Sequence, residues 1–105
     1  MNDPQFVEAA RFLAQRFVVQ NGSDDERVKQ LFKTALCRDA TESELELLIE
    51  NLNANRDEFK NSQESAKKIV AIGEKPADSK YDVVELASWT MLANLIMNMD
   101  EFVNK

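Results

Sequence analysis

The chain is 105 residues long, which fits a single domain, and it carries 13 Lys+Arg against 19 Asp+Glu for a formal net charge of -6. It contains no His and one Cys, which removes the commonest general base and zinc ligand, any internal disulfide, any Cys-rich metal site and any Cys-x-x-Cys-His haem attachment. The acidic balance speaks against nucleic acid, whose phosphates need a basic surface.

In chain order, Asp3-Pro4 reads as a helix cap followed by a first-turn proline. Phe6, Val7, Ala10, Leu13, Ala14, Phe17 and Val18 then recur at helical spacing, and Asn21-Gly22 stops the helix, with Gly22 suited to a left-handed cap. Ser23-Asp24-Asp25-Glu26 is a capping box whose acids suit the positive end of a helix dipole. It opens a second helix with the stripe Val28, Leu31, Phe32, Ala35 and Leu36, ending near Cys37-Arg38. Thr41-Glu42-Ser43-Glu44 is a second box, followed by Leu45, Leu48, Ile49, Leu52 and, further on, Phe59, so a third helix runs to about Lys60. Asn61 or Ser62 caps a short fourth helix bearing Ala66, Ile69 and Val70, with Gly73 just past its end.

Gly73 to Asp82, with Pro76, reads as the one real loop, and Asp82 to Glu85 restarts a helix with acids at the cap and third position. The last segment, Val83 to Val103, is apolar around most of its circumference: Val84, Leu86, Trp89, Leu92, Ala93, Leu95, Ile96, Met97, Met99 and Phe102. Such a helix is either central in a bundle or docked on a partner. Thr90, Asn94, Asn98 and Glu101 form one narrow polar stripe on it. The expected architecture is all-α: a compact bundle of about five helices, with the C-terminal helix at its centre.

At 44% hydrophobic and 30% charged, the composition is that of a globular chain. There is no apolar run of ~18 residues to span a membrane, and the start has neither the basic nor the apolar region of a signal peptide.

Few residues stand out as chemistry. Asp24, Asp25, Glu26, Glu42, Glu44, Glu46 and Glu50 could serve acid–base work or a divalent cation. They lie around helix starts, where acids are favoured anyway, and lack the spacing of a calcium loop, so they read as solvated surface. Cys37 stands at a helix C-terminus with no base to lower its pKa, so it reads as a small, mostly buried apolar residue. Arg38 reads as a cationic cap of that helix end, with a buried or interface ion pair to a carboxylate of the last helix as the alternative. Asp100 and Glu101 are the candidate carboxylates. Asn94 and Asn98 must find partners if buried; they could cap loop backbone, bind the peptide backbone of another domain, or be solvated. Met91, Met97 and Met99 read as core, with an adaptable groove as the alternative. Asn21-Gly22-Ser23 matches the N-glycosylation sequon, a short and incidental match.

The segment Leu31 to Leu45 resembles a motif of the form Leu-x-x-x-Ala-Leu-x-Arg-x-Pro-Thr-x-x-Glu-Leu, with Ala40 where the pattern has proline. Gly73-Glu74, Pro76-Ala77-Asp78, Glu85 to Thr90 and Asn94 to Phe102 resemble its second half, and the helix Phe6 to Arg16 also fits. Together they resemble the C-terminal part of the planctomycete-type domain of unknown function 1553. The resemblance implies a fragment of a larger exported, cell-envelope protein, of a kind often carrying a planctomycete-type cytochrome c domain. It supplies no catalytic residues.

The expectation is therefore one helical domain over residues 1–105, a fragment of a multidomain protein, serving as a non-catalytic interaction or structural module with no cofactor of its own. Its partners are other domains of the parent chain or a separate protein, and an isolated fragment could self-associate weakly through surface those domains cover. Trp89, Arg38, Asn94, Asn98, Asp100 and Glu101 are its candidate structural or interaction residues. The alternative is a composite active site, completed by upstream domains, to which Arg38 and acidic side chains contribute. A third reading is an acidic docking face for a basic electron-transfer partner.

Overall fold

The computed structural model describes residues 4–71 and 81–103. Among them the chain forms five helices: α1 (Pro4–Val18), α2 (Asp24–Leu36), α3 (Glu42–Asn61), α4 (Gln63–Val70) and α5 (Val83–Val103). The starts follow the capping residues closely. Ser23 Oγ accepts from Glu26 N at 3.2 Å to open α2. Thr41 and Glu44 exchange both bonds of a capping box at α3. Asp82 Oδ1 accepts from Glu85 N at 3.0 Å at α5. Each cap satisfies amides that the helix geometry leaves without an internal partner. Ser62 is shared, closing α3 through its N–H to the Glu58 carbonyl and preceding α4.

The ends are less literal. α1 stops at Val18, and Gly22 uses its positive φ of 128° in the turn before Ser23, not at the helix end. Arg27 of α2 instead reaches the last carbonyls of α1, donating from Nη1 to Phe17 O at 3.2 Å and Val18 O at 3.4 Å. Arg11, wholly buried on α1, donates to the Val70 carbonyl at the end of α4. Both arginines place a cation where the helix dipole favours one. The Gly73 expected beyond α4, and the loop up to residue 80, lie outside the described residues.

α5 is the axis of the bundle and touches each of the other four helices. Leu86, Ala87, Ser88, Trp89 and Thr90 are five consecutive buried residues, more than one full turn, so α5 is enclosed on every side here. Ser88 and Thr90 return their hydroxyls to the Val84 and Leu86 carbonyls, both at 2.7 Å, and so enter the core without orphaned polar groups. α1 shares its broadest contact with α5, and its fully buried Ala10 and Ala14 let the two helices lie close. One core cluster joins these alanines and Phe17 to Val28, Leu31 and Phe32 of α2, Leu48 and Leu52 of α3, and Trp89, Leu92, Ala93 and Ile96 of α5. A second joins Phe59, Ala66 and Val70 to Leu86 and Ala87.

Cys37 departs from expectation. It is exposed, and it adopts the left-handed conformation (φ 59°, ψ 29°) that ends α2, its N–H bonded to the Lys33 carbonyl. The α2–α3 turn needs a positive φ there, a place usually taken by glycine, and that backbone sets the thiol toward solvent.

Candidate functional site

The most distinctive polar feature lies between α3 and α5. The two helices part over a cleft of about 190 Å³ lined by Asn51, Asn55, Met91, Asn94, Leu95 and Asn98. Asn51 and Asn55 are one turn apart on α3, as are Asn94 and Asn98 on α5, so each helix offers a pair of carboxamides on one face. Asn55 Nδ2 donates to Asn51 Oδ1 at 2.9 Å, which orients both amides. Asn94 is buried and Asn98 half-buried. Met91 and Leu95 supply the apolar part of the lining.

The lining contains no ionisable group. A carboxamide both donates and accepts but does not exchange protons near neutral pH. The cleft can therefore bind neutral polar groups, and its lining offers no general acid, base or nucleophile. Among the described residues, no group of three or more His, Cys, Asp or Glu is placed to hold a metal. No helix among them is long and apolar enough to cross a membrane.

The residues singled out from the sequence fall in different places. Asn94 and Asn98 line the cleft. Trp89 is wholly buried in the core, with the Arg27 guanidinium 4.9 Å from its ring centre. Arg38 lies at the α2–α3 turn, and among the described residues its partners are there and not the last carbonyls of α2. It makes two parallel bonds to Glu44, at 2.9 and 2.8 Å, donates to Asp39 O, and covers the Phe32 ring at 4.8 Å. The Arg38 hydrogen bonds, with the Thr41 amide bond, hold the Glu44 carboxyl down to about 2. Arg38 is thus committed to tying the start of α3 to the end of α2. Asp100 and Glu101 stand near the end of α5, and their side chains fall outside what the structure describes.

The acids also divide. Asp25, Glu26, Glu42, Glu46 and Glu50 are exposed, as expected of solvated helix starts and faces. Asp24 is not part of that surface. Arg56 on α3 grips Asp24 of α2 with two bonds, at 2.7 and 3.2 Å, and Glu85 of α5 with two more, both at 2.8 Å. Asp24 also accepts from Arg27 at 2.9 Å. Hydrogen bonding from Arg56 is the main reason the Asp24 carboxyl is lowered, and the bonds from Asp24 and Glu85 raise the Arg56 guanidinium. This network locks α2, α3 and α5 together.

Sequence reasoning missed Asn51 and Asn55. The available signal was the repeat of one pattern: Asn-x-x-x-Asn on α3 matches Asn-x-x-x-Asn on α5. No family model, curated protein or solved structure matches the chain. The likeness to the domain of unknown function 1553 accordingly rests on the residues quoted for it.

Proposed function

We propose that this chain is a non-catalytic helical interaction module that docks another domain of a larger protein, or a separate partner protein, through the α3–α5 cleft. The observation that supports this reading best is the cleft itself: four carboxamides on an apolar floor, with no titratable group in the lining. Hydrogen-bonding amides beside methionine and leucine suit recognition and not turnover. The cleft's size points the same way. At about 190 Å³ it is smaller than the roughly 300–1,000 Å³ of sites that enclose a free small molecule, so it suits a segment projecting from something larger. Arg38, the residue a composite active site would use, is already occupied by Glu44. The resemblance adds an exported multidomain parent as the setting.

Leu47 gives the test its handle, being 61% exposed and one turn before Asn51 on α3. A photocrosslinking side chain replaces Leu47, or the exposed Lys29 of α2 as control, in the protein expressed in its own cells. The expected result is a discrete adduct from position 47 that disappears in Asn55→Leu and is absent from position 29. Identical adducts from both positions, or none from position 47, would overturn the reading.

A further inference from the structure

We infer that Asn21 is a self-modifying site: the Gly22 backbone nitrogen displaces its side-chain amide, and the turn between α1 and α2 passes through a cyclic imide to aspartate and isoaspartate.

The chemistry needs an exposed asparagine whose following backbone nitrogen is open to react. Asn21 is exposed and stands outside the helices, in the turn between Val18 and Asp24. The next residue is Gly22, which has no Cβ to screen its nitrogen and holds a positive φ of 128°. The Gly22 N–H takes part in no backbone hydrogen bond among the described residues. The other described asparagines differ on this point. Asn51, Asn53 and Asn55 lie inside α3 and Asn94 and Asn98 inside α5, where the amide after each is spent on the helix. Asn61 is exposed at the end of α3, but the Ser62 N–H that follows it donates to the Glu58 carbonyl at 3.0 Å.

The step needs nothing but water. The Gly22 nitrogen loses its proton to solvent and bonds to Asn21 Cγ; the Cγ–Nδ2 bond breaks and the side-chain nitrogen leaves as ammonia. Water then opens the five-membered imide at one of its two carbonyls. Opening at Cγ gives aspartate, and opening at the main-chain carbonyl gives isoaspartate, with the chain rerouted through Cβ and Cγ. Space for that water is present, since a side chain built on Gly22 would meet only the Glu26 carboxylate, at 3.1 Å.

The two products differ in effect. Aspartate adds a charge beside the N-terminus of α2, where the helix dipole accepts one. Isoaspartate adds a carbon to the main chain inside a turn whose two ends are tied. Arg27 of α2 holds the Phe17 and Val18 carbonyls at 3.2 and 3.4 Å, and Ser23 caps α2 at 3.2 Å. These bonds stand at or beyond the long end of the ordinary range, so the longer chain loosens the joint between α1 and α2.

The test is to age the full chain at mildly alkaline pH and map every asparagine by peptide mass spectrometry, with fragmentation that separates aspartate from isoaspartate. A synthetic peptide of residues 17–27 gives the rate of the same chemistry without the fold. The expected result is conversion at Asn21 ahead of every other described asparagine, at a rate within about tenfold of the peptide's. The rate rises with pH, because the attacking nitrogen must lose its proton. Gly22→Ala slows conversion at least about tenfold in chain and peptide alike, and Asn21→Gln stops it at that position. Asn21→Asp keeps the urea midpoint of the fresh chain, whereas the purified isoaspartate form unfolds at lower urea. The inference is overturned by Asn53 or Asn61 converting first, by Gly22→Ala converting as fast as the parent in the peptide, or by Asn21 staying intact in the chain after the peptide has converted. An isoaspartate form as stable as the fresh chain would overturn the loosening of the turn.

Discussion

Replacing Arg56 tests how the helices are held together. Arg56 is the only side chain that ties α2, α3 and α5 through charged hydrogen bonds among the described residues, with four bonds to carboxylates and a fifth to Asn53. Its own side chain is 14% exposed, while Asp24 and Glu85 are 32% and 33% exposed. Fully exposed ion pairs contribute about 0–1 kcal/mol, and breaking a fully buried one costs about 3–5 kcal/mol. The geometry here lies between, so Arg56→Met should cost roughly 2–3 kcal/mol, mostly because it leaves the half-buried Glu85 carboxylate without its bonded cation and Asp24 held by Arg27 alone. In a domain of this size that lowers the thermal midpoint by about 10–20 °C. Arg56→Lys keeps the charge but loses the planar fork that meets both carboxylates, so it should recover less than half of the loss. Urea unfolding of both variants, with Asp24→Asn added to complete a double-mutant cycle, gives the numbers. A loss in Arg56→Met below about 0.5 kcal/mol, the range of ordinary surface substitutions, would refute the reasoning.

Other changes follow from the same structure. Trp89→Ala removes the largest wholly buried side chain and the surface under Arg27, so it should cost about 3–5 kcal/mol in urea unfolding, and unchanged stability would remove Trp89 from the core. Cys37→Gly should stabilise by about 0.5–1 kcal/mol, because relief of the left-handed strain exceeds the added freedom of the unfolded chain; a lower urea midpoint would contradict this. Glu44 titrates at about 2 in the fold against 4.5 ordinarily, and Asp24 is lowered as well. Groups lowered in this way contribute stability that is complete above the unfolded value and lost as pH falls toward the folded one. The urea midpoint should therefore fall as pH drops from about 5 toward 2, and Glu44→Gln should flatten part of that slope; a midpoint level across this window would exclude both groups.

The sequence showed most of the architecture because the residues that start these helices act locally. Ser23, Thr41 and Asp82 bond to amides three residues on, and a last helix apolar around most of its circumference announces a central position whatever surrounds it. Helix ends were harder, since two of them are finished by arginines from elsewhere. Arg11 and Val70 are 59 residues apart, and nothing in an amphipathic pattern separates such a cation from a solvated one. The same holds for Arg56, which meets Glu85 across 29 residues. Arg38 drew notice through its place beside a helix end, yet its partner is the third residue of the next capping box, only six residues on. Cys37 was misplaced because residue type was read as burial, whereas the turn's positive φ decided where the thiol went. The cleft was half legible: the α5 asparagines stood out against an apolar helix, but those of α3 sat in a polar one and became visible only when the helices were packed.

The most direct test of the account is whether the two asparagine pairs meet. Nuclear Overhauser contacts from the Asn51 and Asn55 side-chain amides to the Met91 and Leu95 methyl groups read this in solution, since all four residues line the cleft. The account predicts such contacts for both asparagines. Their absence, with Asn51 and Asn55 amides showing contacts only within α3, would mean that the cleft does not form and that the docking proposal has no site.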